Sequence, residues 1–353
     1  MPDKENHRAS LNGSVRVGPL LGIPTVVREL GHDPGPILAD AGLSPAEFSD
    51  PDNEIPYLIA DRLLSRCVAV TQCEHFGLLV GERAGPSSLG VAGFLLQHAP
   101  DVGTALRDLV HHLDLHDSGG IPMLIIRNDI TMLGYAIHQA GTQATDQIYD
   151  LSIAVACNIM RGLCGENWNP VEVLLSHRPP QELAPYGRFF RAPLRFDAEQ
   201  SAIAFPTWWL NRKVAAADAL LHQHLEKEAS ELRSHRETDI VSDLRKLLLK
   251  SLLNRTCSID NIARQLCIHE RTLHRRLREQ GTGFRQELEQ VRHELARQLL
   301  AETGIPVKKI ATSLGYTDTS AFNRAFKRWT GNTPAHWRSR NGPSSQTRGL
   351  APE

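Results

Sequence analysis

Two stretches in the last third of the chain are copies of one pattern, and no other feature limits the fold as much. Residues 262–277 read IARQLCIHERTLHRRL, and residues 310–326 read IATSLGYTDTSAFNRAF. Ile262, Ala263 and Leu266 match Ile310, Ala311 and Leu314. After one extra residue in the second copy, Leu273, Arg275 and Leu277 match Phe322, Arg324 and Phe326. Each copy has an apolar stripe at helical spacing, a short polar break, then a second stripe. Both stripes are buried if a short helix turns tightly into a second helix that crosses it, the helix-turn-helix arrangement. The alanine in each first helix lets the second helix approach. Gly315 can take the left-handed conformation that stops a helix. The first copy has Cys267 at that place, so its turn is expected to differ.

The stretch between the copies, GFRQELEQVRHELARQLLAET (283–303), spaces Phe284, Leu288, Val291, Leu295 and Leu299 as one helix. About 19 helical residues span roughly 28 Å, and successive major-groove faces lie about 34 Å apart. Such a linker is long enough to hold two recognition helices in adjacent grooves. Ser258 stands where an N-cap is wanted, and Pro306 where a first helical turn tolerates it.

Charge agrees with this reading. The net charge is -1, yet residues 239–338 carry 18 Lys and Arg against 10 Asp and Glu, whereas residues 1–238 carry 19 against 29. An acidic front and a basic back point to a polyanion meeting the back. In the first copy, Leu273 and Leu277 turn inward and leave Arg271, His274, Arg275 and Arg278 outside. In the second, Phe322 and Phe326 turn inward and leave Thr319, Ser320, Asn323, Arg324 and Lys327 outside. Arg can hold guanine and Asn can hold adenine with paired hydrogen bonds, while Ser, Thr and Lys commonly touch phosphate. One such face is an ordinary solvated helix surface; two matching faces in a basic segment favour DNA.

RTLHRRLREQGTGF followed by IPVKKIATSLGYTDTSAFNRAFKRWTGNTPAHWR resembles the DNA-binding domain of AraC/XylS-family transcriptional regulators, over about residues 237–340. The resemblance implies an all-α domain of two helix-turn-helix units joined by a long helix. Carried over by position, it implies base reading by Arg271, His274, Arg275, Thr319, Ser320, Asn323 and Arg324. Arg278 and Lys327 would touch phosphate, and Phe322, Phe326, Trp329 and Trp337 would be core. The order DVGTALRDLVHHLDLH, WNPVEVLLSHRPP, YGRFFRAPLRFDAEQSAIAFPTWWL is similar to the arabinose-binding-type N-terminal effector domain of a subset of that family, over about residues 18–232. Regulators of ornithine utilisation and fatty-acid-responsive virulence regulators belong to that subset. Double-stranded promoter DNA, an unidentified small-molecule effector, RNA polymerase and a second copy of the chain are the partners implied.

Read directly, the front is α+β. EIPYLIADRLLSRCVAV (54–70) has helical spacing, and residues 121–138 read as two strands around an Arg127-Asn128-Asp129 turn. Residues 143–165 read as a helix ended by Gly165, and 171–177 and 201–206 as strands. An effector pocket between sheet and helices is expected, with no lining residue legible; Arg83 and Arg127 are candidate anchors but read as surface salt-bridge partners. HHLDLHD (111–117) is the one metal-like cluster. It supports an alternative, a metal-dependent hydrolase tethered by the DNA-binding module. No HExxH motif accompanies it, and no GxSxG elbow or P-loop occurs. The expectation is therefore no enzyme, no cofactor and no metal. Cys67, Cys73, Cys157, Cys164, Cys257 and Cys267 fit no zinc spacing and read as buried free thiols. Residues 214–232 read as an amphipathic helix, serving either packing or a dimer contact. The domain expectation is a disordered 1–17, an effector domain 18–232, a linker 233–240, a DNA-binding domain 241–338 and a disordered 339–353. With no apolar run of spanning length and no signal peptide, the expected site is the cytoplasm.

Overall fold

A computed structural model describes residues 13–234 and 239–342. The chain divides into two units: the second takes everything described from Asp239 onward and also Ser176–Arg178 and Phe196–Gln200, and the first takes the rest. Those two short segments fall inside the span expected to be wholly effector domain.

The first unit is built on a five-stranded sheet. Strands β3 (Gly120–Arg127), β4 (Ile130–Ile137), β5 (Glu172–Leu174), β6 (Leu194–Arg195) and β7 (Ser201–Pro206) lie in the order β3-β4-β7-β5-β6. Only the β5–β6 pair is parallel. The β3–β4 hairpin turns where Arg127-Asn128-Asp129 was expected, with Asn128 at φ +50, a conformation Asn tolerates better than most residues. A separate pair is formed by β1 (Ser14–Arg16) and β2 (Glu54–Pro56), which set Val15 opposite Ile55. Two expectations are corrected here. Residues 1–12 lie outside the described residues, but 14–16 form a strand and Val17 is fully buried, so disorder does not extend to 17. Residues 54–56 are a strand rather than a helical turn, because Pro56 has no N–H to donate and sits ahead of the helix as its cap.

That helix is α1 (Tyr57–Thr71). α2 (Val102–His112) and α3 (Thr145–Cys164) pack on the sheet, and α1 packs on α3 and on the β1–β2 pair. α3 is buried on nearly every side. A short helix, Phe76–Gly81, lies so close to it that a Cβ on Gly77 would stand 2.1 Å from the Gln147 carbonyl oxygen. Asp61 fixes the start of α3 by accepting from the N–H groups of Gln143 and Ala144. Gly165 ends α3 at φ +105, as expected. α4 (Ala219–Ser234) begins later than expected and is mostly exposed. Cys67, Cys73, Cys157 and Cys164 are buried, Cys257 is half-buried and Cys267 is exposed, so the buried-thiol expectation holds for the first four only.

The second unit is all-helical apart from the segments it borrows. It contains α5 (Ile240–Leu253), α6 (Ile259–Gln265), α7 (Glu270–Glu279), α8 (Phe284–Glu302), α9 (Val307–Ser313), α10 (Thr319–Thr330) and α11 (Pro334–Asn341). Helix α11 runs through Asn341, so the tail expected from 339 is ordered to that point, and residues 343–353 lie outside the described residues. Of the expected linker, residues 235–238 lie outside them too, while Asp239 already caps α5. Within this unit Glu199 pairs with Arg255 (3.3 Å) and Lys309 (3.4 Å) and accepts from Ser313 Oγ (2.8 Å).

Candidate nucleic-acid interface and ligand cavity

The two helix-turn-helix units use one backbone turn. In the first, Cys267 N–H donates to the Arg264 carbonyl and Ile268 N–H to the Ala263 carbonyl. In the second, Gly315 N–H donates to Thr312 and Tyr316 N–H to Ala311. This bonding pattern satisfies the last carbonyls of α6 and α9 and requires a left-handed residue after each helix. Gly315 supplies it at φ +76 and Cys267 at φ +53. The first turn therefore does not differ in conformation, contrary to expectation; the cysteine is held there by its neighbours at a local cost of about 1 kcal/mol. The next helix starts one residue sooner in the first unit. His269 Nδ1 accepts from the Arg271 N–H at 3.2 Å, and Asp318 Oδ1 accepts from the Ala321 N–H at 2.7 Å.

Helix α8 carries both units. At one end the Glu287 carboxylate, 3% exposed, pairs with Arg245 of α5 at 2.5 Å and accepts from the Thr282 hydroxyl. Further along, Arg292 donates to the Leu314 carbonyl at 2.9 Å, and its guanidinium lies 4.8 Å from the Tyr316 ring centroid. Arg328 of α10 pairs with Glu289 at 2.9 Å. Leu273 and Leu277 seat α7, and Phe322 and Phe326 seat α10, all fully buried. Trp329 and Trp337 are only half-buried, so they form the rim of this core rather than its centre. Their rings still meet Phe326, at 6.3 and 6.0 Å.

What remains outside is polar and basic. Arg271, His274, Arg275 and Arg278 are exposed on α7, three or four residues apart. Ser320, Asn323, Arg324 and Lys327 are exposed on α10, with Thr319 half-buried at its first turn. Among the described residues, no side chain of the protein holds Arg271, His274, Arg278, Asn323, Arg324 or Lys327. Arg275 has one loose exposed pair, with Glu279 at 3.8 Å. Arg276 is exposed as well and did not figure among the expected residues.

A second site lies in the first unit. A cavity of about 100 Å3 is walled mainly by leucine, isoleucine, valine and alanine from α1, α2, α3 and β4, with Pro122 from β3. Tyr57, Tyr135, His116 and Asp117 gather in its lining. Tyr135 donates to Asp117 Oδ2, and the Tyr57 and Tyr135 hydroxyls lie 3.2 Å apart. Asp117 Oδ1 accepts from the N–H groups of Gly119 (2.8 Å) and Gly120 (3.0 Å). Burial, with the nearby Asp117 charge, pushes both phenols well above their usual range. A Cβ on Gly120 would stand 1.8 Å from the Tyr135 hydroxyl, so the two glycines make room for the tyrosine rings. Arg83 and Arg127 do not line the cavity; Arg83 pairs with Glu29.

The HHLDLHD cluster does not assemble as a metal site. α2 stops at His112 and a 3-10 turn follows over Leu113–Leu115, so His112 and His116 do not share a helix face. Arg233 takes Asp114 at 3.1 Å and meets His111, while Asp117 turns to the tyrosines. Among the described residues no group of three or more His, Cys, Asp and Glu could hold a metal ion. Among them, too, no helix is long and apolar enough to cross a membrane.

Comparison with known proteins bears on both sites. Residues 31–214 match the family described as the arabinose-binding N-terminal domain of AraC transcription regulators, and residues 262–340 match a helix-turn-helix domain family. An ornithine utilization regulator of Pseudomonas aeruginosa is 25% identical over 89% of this chain and 93% of its own length. The HTH-type transcriptional regulator VirS of Mycobacterium tuberculosis is 27% identical over 95% of this chain and 99% of its own. The crystal structure of the transcriptional regulator CdpR from Pseudomonas aeruginosa is 26% identical, covers 88% of this chain and 97% of that one, and superposes with a TM-score of 0.42. With the first family match spanning over half of the 353 residues and the second following it, the chain belongs to the AraC family of transcription regulators, DNA-binding proteins with an effector-binding domain ahead of a helix-turn-helix domain.

Proposed function

We propose that this regulator reads two adjacent major grooves of its promoter, with α7 in one and α10 in the next. The observation that carries this is the pair of recognition faces, alike in their backbone turn, whose cations, apart from the loose Arg275–Glu279 pair, are not held by other side chains of the protein. On this reading Arg271, His274 and Arg275 contact bases in the first half-site, and Thr319, Ser320, Asn323 and Arg324 in the second. Arg278 and Lys327 contact phosphate. The 19 residues of α8 set the spacing. The effector occupies the cavity of the first unit and changes the balance of DNA-competent arrangements. The chain acts in the cytoplasm, as a homodimer and on RNA polymerase, without catalysing a reaction. Leu220, Leu221 and Leu232 on α4, 73%, 39% and 43% exposed, support a dimer contact there.

The test is binding of the full-length chain to a fluorescent duplex from upstream of its own gene, against scrambled DNA, over a salt series. Preference for the promoter duplex by about 10³ or more, with a steep salt slope, is the expected result. Equal binding to both, persisting across a library of random duplexes with and without candidate effectors, would sink sequence-specific reading.

A further inference from the structure

We propose that the cavity of the first unit takes a small, uncharged, largely apolar molecule with one hydrogen-bonding head, of the class of a short-chain alcohol, and that His116 recognises the head. The inference rests on the effector reading above and narrows it to a chemical class.

His116 lines the cavity, is 5% exposed, and its Nδ1 has no hydrogen-bond partner among the described residues. An unmet buried nitrogen costs about 1–3 kcal/mol, and the imidazole that carries it stands in the cavity wall. Burial and the charge of Arg16 push the imidazole down to about 3. It is therefore neutral near pH 7 and offers one lone pair and one N–H, which a hydroxyl can match from either side. Ser152, also in the lining, adds one further hydroxyl.

The same lining argues against other ligand classes. Among the described residues no Lys or Arg lines the cavity, and the one charged lining group is the Asp117 carboxylate. A carboxylic-acid effector would bring a second negative charge close to Asp117 with no cation in the lining to balance it. A free sugar carries nearly one hydroxyl per carbon. Here the tyrosines and Asp117 are already bonded to one another and to the Gly119 and Gly120 N–H groups, so most sugar hydroxyls would be buried unmet. Size sets a further limit. At about 100 Å3 the cavity is smaller than the roughly 150 Å3 that accommodates benzene, so the ligand is small, and because the cavity is half-open a short alkyl tail can reach its mouth.

The experiment is ligand-observed NMR titration of the full-length chain with 1-pentanol, pentanoate and L-arabinose. The expected result is that 1-pentanol binds at least tenfold more tightly than either competitor. His116→Leu should weaken 1-pentanol about tenfold. Ala156→Leu adds a bulky side chain to the lining from α3 and should abolish binding; it also serves if His116→Leu does not fold. Tighter binding of pentanoate or arabinose, no binding of 1-pentanol, or 1-pentanol affinity unchanged in Ala156→Leu would each overturn the proposal. Promoter binding by the same wild-type preparation is followed in parallel. Its loss would count against the regulator reading, whereas its retention with no alcohol bound would count against this ligand class alone.

Discussion

The first helix-turn-helix rests on leucines and the second on aromatic rings, although both stop their first helix with the same pair of hydrogen bonds. The outward faces differ as well. α7 presents Arg271, Arg275, Arg276 and Arg278 to solvent, while α10 presents Ser320, Asn323, Arg324 and Lys327 and ties Arg328 back to Glu289. One backbone solution thus serves two reading chemistries. The seat sets where a recognition helix lies, and the exposed side chains set what it meets. An arginine-rich face can supply attraction to any duplex, whereas a mixed face with an asparagine has more means of telling bases apart.

The sharpest way to break this comparison is to remove the seats. Phe326→Ala takes out a ring that touches Phe322, Trp329 and Trp337 and should cost about 3–5 kcal/mol. Leu277→Ala should cost about 2–5 kcal/mol, and lie below Phe326→Ala when both are measured by denaturant unfolding. A Leu277→Ala loss equal to or above that of Phe326→Ala would show that the aromatic seat adds nothing. The support under the first helix-turn-helix comes next. Arg245→Ala leaves the Glu287 carboxylate buried with only the Thr282 hydroxyl and should cost roughly 3 kcal/mol, recovered in part by Arg245→Ala with Glu287→Leu.

The faces themselves carry smaller effects. Arg324→Ala should cost about 1–3 kcal/mol at one preferred base and relax specificity there, while Arg278→Ala and Lys327→Ala should weaken all sequences alike and lower the salt slope by about one. Competition with single-base operator variants over a salt series separates them; uniform losses for Arg324→Ala would reassign it to phosphate. The smallest effect is at the turns. Gly315→Ala forces a side chain into φ +76, with a Cβ 3.3 Å from Arg292 Nη2, and should cost about 1 kcal/mol or more. Cys267→Gly relieves strain but loosens the unfolded chain, so its net change should stay within about 0.5 kcal/mol. Thermal unfolding of the pair would show whether the two turns are energetically as alike as they are in shape.

The second unit was largely legible because its information is local. Apolar residues three and four apart mark α6, α7, α8, α9 and α10, and Ser258 caps the helix it precedes. Cys267 was misread because propensity argues against cysteine in a left-handed turn, while packing of the flanking helices imposes it. In the first unit the β3–β4 hairpin and α3 were legible for the same local reason, whereas the composition of HHLDLHD suits a metal and only the helix end inside it shows how its side chains are parted.

Sequence alone determined that this chain carries two helix-turn-helix units on a long helix, and which of their side chains are polar, since a period of 3.6 residues assigns each position to a face. Only the tertiary structure decided the cavity. It joins Tyr57 to Tyr135 across 78 residues, clears room for them at Gly119 and Gly120, and leaves His116 unmet. It also decided that Phe196–Gln200 clusters with the second unit rather than with the sheet it interrupts. Neither fact has a periodic signature, because burial and hydrogen-bond satisfaction depend on which distant segments pack together, and no short window of sequence contains both partners.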